Sequence, residues 1–106
     1  KVQLINNQNF KIFNKIHKKS LFIANWSLSE TKLKFREKFI NLLKDYNYSL
    51  ISFQENFEDI DNLEYFKKLS RKLVKTHQFK IIKNQFYKGN FFKKQNHYFM
   101  IGKKLN

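Results

Sequence analysis

Ser49–Gln85, SLISFQENFEDIDNLEYFKKLSRKLVKTHQFKIIKNQ, is the stretch on which the fold turns. Two short apolar runs, Leu50–Phe53 and Phe79–Ile82, flank one long segment with helical periodicity. Ile60, Leu63, Phe66, Leu69 or Ser70, and Leu73 mark the expected buried stripe of that helix. Asp59 is its expected cap, with Asp61 and Glu64 in the early turns, where negative charge suits the amide dipoles. Lys67, Lys68, Arg71, Lys72 and Lys75 fill the outer face. The stretch predicts a strand–helix–strand core, with a right-handed crossover if the strands are parallel.

Upstream, Ser27 to Tyr46 predicts a helix with Phe35, Phe39, Leu42, Leu43 and Tyr46 on its apolar face. Ser27 with Glu30 has capping-box spacing, and Ser29 is the rival cap. Downstream, Asn84 caps a short expected helix over Gln85–Phe92, and His97–Ile101 predicts a third strand that Gly102 leaves. The expected order is α-β-α-β-α-β. That is a small α/β (α+β) sandwich with a mixed sheet of three or more strands and helices packed on it. Residues 29–106 form the expected domain and residues 1–28 an N-terminal extension that packs on a partner. In that extension Val2, Leu4 and Ile5 suggest a strand, Phe10, Phe13 and Ile16 have helical spacing, and Leu21–Ala24 suggests another extended piece. Membership of the core and an organellar address are the competing readings of this segment.

At 106 residues the chain has the size of one small domain, with a core built from 13 Phe and 5 Tyr. It has no Cys, hence no disulfide framework and no thiolate metal site. Its apolar runs are far too short to span a membrane. The net charge of +14 is extreme for this length and calls for a polyanion. Residues 1–29 carry five Lys and no acid, residues 30–65 five basic and eight acidic residues, and residues 66–106 twelve basic residues and no acid. The abundance of Lys, Asn, Ile and Phe matches an AT-rich codon bias, so no single Lys is decisive. The acid-free third of the chain is.

Enzyme chemistry finds no constellation. His17, His77 and His97 lack ligand spacing, the chain has only two Gly and so no phosphate loop, and the acids from Glu55 to Glu64 fit a helix start better than a calcium loop. No catalytic residue, cofactor or metal is expected. Nucleic-acid contact is expected at Lys80, Lys83, Lys88, Lys93 and Lys94, which would neutralise phosphates. Asn84 and Gln85 would add base or ribose contacts.

The segment FKIIKNQFYKG at Phe79–Gly89 resembles the L10/P0 family of ribosomal stalk-base proteins. The likeness runs in order over residues 29–104. SETKLKFREKFINLLKDY resembles that family's first helix, SLISF its first strand, DIDNLEYFKKLSRKL its second helix, FKIIKN its second strand and HYFMIGK its third. Asp59 falls at the position of the family's Thr cap, Ile60 and Leu63 at its apolar pair, and Lys83-Asn84 at its Lys-Asn. Lys67, Lys68 and Lys88 fall at basic positions, which adds Lys67 and Lys68 to the RNA contacts that the resemblance implies, and Gln85 falls where Thr is usual. Glu55-Asn56-Phe57 replaces a Tyr-Arg-Gly turn, the Gly-Pro before the third strand is missing, and the helix that carries L12-type dimers has no counterpart. The resemblance implies a structural constituent of the large ribosomal subunit. It would bind rRNA at the base of the L12 stalk, in the GTPase-associated region beside an L11-type protein. Composition and basic excess suit a mitochondrial ribosome. The rival readings are another small basic mitoribosomal rRNA-binding protein away from the stalk, and an interaction subunit of an organellar membrane complex.

Overall fold

Leu21–Asn25 (β1) enters the fold as a strand with strict alternation, Phe22 and Ala24 inward, Leu21, Ile23 and Asn25 outward. The computed structural model describes residues 20–85 and 95–106. After β1 come α1 (Leu33–Leu43), β2 (Tyr48–Gln54), a minimal hairpin of β3 (Asn56–Phe57) and β4 (Ile60–Asp61), α2 (Asn62–Lys72), β5 (His77–Lys83) and β6 (His97–Lys104). The architecture is α+β: a mixed four-stranded sheet in the order β1-β2-β6-β5, with both helices on one face. β1 runs parallel to β2, and β6 is antiparallel to β2 and to β5. The expected strand–helix–strand unit is therefore present but split, since β2 and β5 are parallel strands with β6 between them.

The sheet includes residues that the expected boundary at 28/29 leaves outside the domain. Phe22, Ala24 and Leu28 are core residues, so the extension reading does not hold for residues 21–28. The remaining expectations for the extension, and the short helix over Gln85–Phe92, fall on residues 1–19 and 86–94, outside the described residues.

The first helix starts later than its capping pattern suggests. Ser27–Thr31 is a turn, and Lys32 stands at the cap without a side-chain hydrogen bond. The cause is Arg36, which is fully buried. Its Nε donates to the Thr31 carbonyl at 2.9 Å and its Nη2 to the Ser29 carbonyl at 2.8 Å, which holds the turn closed. Ser29 is not a cap; its hydroxyl is shared between the Trp26 carbonyl and Gln54 Oε1. The buried stripe of α1 is Arg36, Ile40 and Leu43, with Phe35 turned outward.

Asp61, not Asp59, caps α2: its Oδ1 accepts the Glu64 N–H at 3.0 Å. Asp59 sits instead in the turn of the β3–β4 hairpin, beside Glu58 at φ 52°. Phe66, Leu69 and Leu73 meet the sheet as expected, and Asn62 joins them. Asn62 Nδ2 donates to the carbonyls of Gln54 and Ser29, tying α2 to the end of β2 and to the turn. Ile51, Phe53 and Met100 are fully buried beneath the helices, and the Phe53 and Phe66 rings lie 4.4 Å apart. Each such aromatic burial contributes on the order of 2–3 kcal/mol.

The last strand runs through Gly102 rather than ending before it. Gly102 pairs with Ser49 on one side and Phe79 on the other, and a Cβ there would collide with the Ser49 hydroxyl and the Phe79 ring. Glycine is what lets the Phe79 ring lie flat across this row.

Candidate nucleic-acid interface

Acidic residues are segregated by layer. All eight acidic residues lie from Glu30 to Glu64, on α1, α2, the β3–β4 hairpin and the loops. The four strands of the sheet, LFIAN, YSLISFQ, HQFKIIK and HYFMIGKK, contain none. Between described residues one ion pair forms, Arg71 to Glu64 at 3.2 Å, with both side chains largely exposed. A pair of that kind contributes little to stability.

The expected contact residues do not form one surface. Lys67 and Lys68 are exposed on α2, away from the core. Lys80 and Lys83 are both exposed on β5 but, three positions apart, project to opposite sides of the sheet. Lys80 shares a row with Ile101 on the face without helices; Lys83 shares a row with Tyr98 on the helix side. Asn84 follows β5 and donates its N–H to the His97 carbonyl at 2.7 Å, and Gln85 is exposed in the turn beyond. Lys88, Lys93 and Lys94 lie outside the described residues. Structure thus brings Lys83, Asn84 and Gln85 together at the end of the β5 edge, with Lys80 on the other face and Lys67–Lys68 on the helix.

Sequence reasoning missed Lys103. It lies on β6 in register with Gln78 of β5 and Tyr48 of β2, on the same face as Lys80. Alternation would have found it had the strand been continued through Gly102. Arg36 was missed for another reason, since a charged residue in a helix reads as solvent-facing.

The groove between α1 and α2, about 520 Å³, has Leu33, Ile40, Leu69 and Tyr65 in its lining and Lys44, Lys68 and Lys72 among its cations. Below it, Arg36 lies 4.8 Å from the centre of the Tyr65 ring. Burial lowers the Arg36 pKa and raises that of Tyr65, while each opposes the other's shift. The guanidinium is thus held by carbonyls and π faces rather than by a carboxylate.

At the end of the sheet where β1 and β2 finish, Trp26, in the left-handed region at φ 62°, stacks on His97 at 4.8 Å. Burial lowers the His97 pKa. It also lowers that of His77, where the charge of Lys104 acts in the same direction and a hydrogen bond to the Lys44 backbone opposes it. Burial thus disfavours the cationic form of both imidazoles. Among the described residues no cluster of His, Asp or Glu is placed to hold a metal ion, and no helix is long and apolar enough to cross a membrane. No protein-family model, curated protein or solved structure matches the chain.

Proposed function

We propose that the chain is a structural rRNA-binding protein of the large ribosomal subunit, seated at the base of the L12 stalk in a mitochondrial ribosome. The observation that carries the RNA part is the segregation of charge. Every acid sits on the helices, the β3–β4 hairpin and the loops, the four strands of the main sheet are free of acid, and the lysines of β5 and β6 stand exposed. Lysines on such a sheet neutralise phosphates without competing carboxylates. The assignment to the stalk rests on the ordered likeness to the L10/P0 family over residues 29–104. In that likeness Lys83, Asn84 and Gln85 occupy the turn after the second matched strand, and an L11-type protein would be the neighbour.

The test is binding of the purified chain to an rRNA fragment of the GTPase-associated region and to a size-matched fragment from elsewhere in the large subunit, across a salt series. The expected result is preference for the first fragment, with log K falling linearly in log salt. Lys83→Glu should weaken binding and flatten the slope by roughly one counterion. Equal affinity for both fragments would remove the stalk assignment, and absence of salt-dependent binding would remove the RNA function.

A further inference from the structure

The face of the sheet opposite the helices is apolar and cationic; among the described residues it lies open at the end that begins with Leu21 and is covered at the other, where Trp26 stacks on His97 and Ser52 is buried. Cross-strand register lays it out in rows. One row reads Leu21, Tyr48, Lys103, Gln78; the next Ile23, Leu50, Ile101, Lys80; the third Asn25, Ser52, Phe99, Ile82. Leu21, Ile23, Tyr48, Ile101 and Ile82 are 52%, 62%, 47%, 45% and 39% exposed. Adjacent strands stand about 4.8 Å apart, so the rows form a continuous platform. No carboxylate projects from it.

Apolar rows alone would suit a protein partner. The lysines decide otherwise. Lys103 is on β6, an inner strand, flanked by Tyr48 and Gln78 in the end row, and Lys80 stands in the next row on the edge strand β5, so two cations border the apolar rows with no carboxylate on this face. An apolar helix laid across the rows would leave both amines without an anionic partner. A nucleic-acid strand meets both needs, because bases stack on aromatic and aliphatic surface while phosphates meet the amines.

We propose that this open face binds unpaired RNA, with bases stacked on Tyr48 and Phe99 and phosphates held by Lys80 and Lys103. The inference rests on the RNA-binding reading above and adds to it the form of the RNA and the surface that takes it.

The test uses the full chain with a single-stranded oligonucleotide and the duplex of the same sequence. Fluorescence anisotropy reads affinity, and hydroxyl-radical footprinting reads side-chain access. The single strand should bind more tightly and protect Leu21, Tyr48 and Ile101 from modification. Tyr48→Ala should weaken single-strand binding roughly tenfold, the size expected for one lost stacking contact, and leave duplex binding unchanged. Lys103→Glu should weaken it as well, with circular dichroism confirming that both variants fold. Three results would overturn the proposal: these side chains unreactive in the free chain, which would mean polypeptide already covers the face; affinity indifferent to Tyr48→Ala; or loss of binding only on Lys67→Glu and Lys68→Glu. The last two leave the RNA-binding reading standing, whereas failure to bind any RNA removes both.

Discussion

Arg36 lies over Tyr65, with 4.8 Å between its guanidinium carbon and the ring centre, and this contact couples α1 to α2. The same side chain closes the turn that follows β1 through the carbonyls of Ser29 and Thr31. Arg36→Ala leaves those carbonyls unpaired and opens a void, and should cost about 3–4 kcal/mol in urea unfolding. Arg36→Lys should recover only a minor part, because one ammonium cannot serve both carbonyls and stack on the ring. Full recovery by Lys would show that the charge alone matters.

Gly102→Ala places a methyl group against the Ser49 hydroxyl and the Phe79 ring. Overpacking of this kind costs about 1–3 kcal/mol. Adding Phe79→Val should return part of that loss, since the ring is the larger obstacle. A neutral Gly102→Ala in thermal unfolding would contradict the register of β5 on β6.

The two candidate caps of α2 separate cleanly. Asp61→Ala should lower stability by about 1 kcal/mol, the usual loss when a side-chain cap is removed. Asp59→Ala, in an exposed hairpin turn, should stay within about 0.5 kcal/mol. The reverse ranking would restore Asp59 as the cap.

Stability should fall as pH is lowered from 7 towards 5. The sign follows from His77 and His97, whose folded pKa values lie below the ordinary imidazole value because burial disfavours the cation. Near pH 6.5 the unfolded chain begins to bind protons that the folded chain refuses, so the stabilisation is complete above that point. It is lost progressively on acidification until the folded pKa values are reached. A His77→Gln, His97→Gln double variant should flatten this slope in thermal unfolding at fixed ionic strength. An unchanged slope would assign the effect to other groups.

Much of this fold is legible along the chain, and what escapes does so for identifiable reasons. β2, α2 and β5 show because strand length, helical period and charge gradient agree over Ser49–Gln85. The stripe of α1 is displaced because Phe35 outranks Arg36 on any hydrophobic scale, whereas the burial of Arg36 depends on carbonyls and a ring from other elements. Leu21–Asn25 reads as part of an extension because five residues of mixed polarity do not declare a partner strand. The contact surface is only half visible. Lysines can be counted, but which face each occupies depends on strand phase, and that splits Lys80 from Lys83 and adds Lys103. Nothing local states that β6 inserts between β2 and β5.

That insertion governs when the sheet can come into being. β6 makes every backbone bridge by which β5 joins the rest of the sheet, yet it follows both of its neighbours in the chain. During synthesis β1, α1, β2 and α2 can associate early. β5 must wait, its strand edge unsatisfied, until residues 97–104 have left the ribosome making them. Closure then joins segments more than forty residues apart, from Tyr48–Gln54 to His97–Lys104, a long-range step of the kind that slows folding. A nascent chain halted before His97 would hold β1 and β2 paired and β5 without a neighbour.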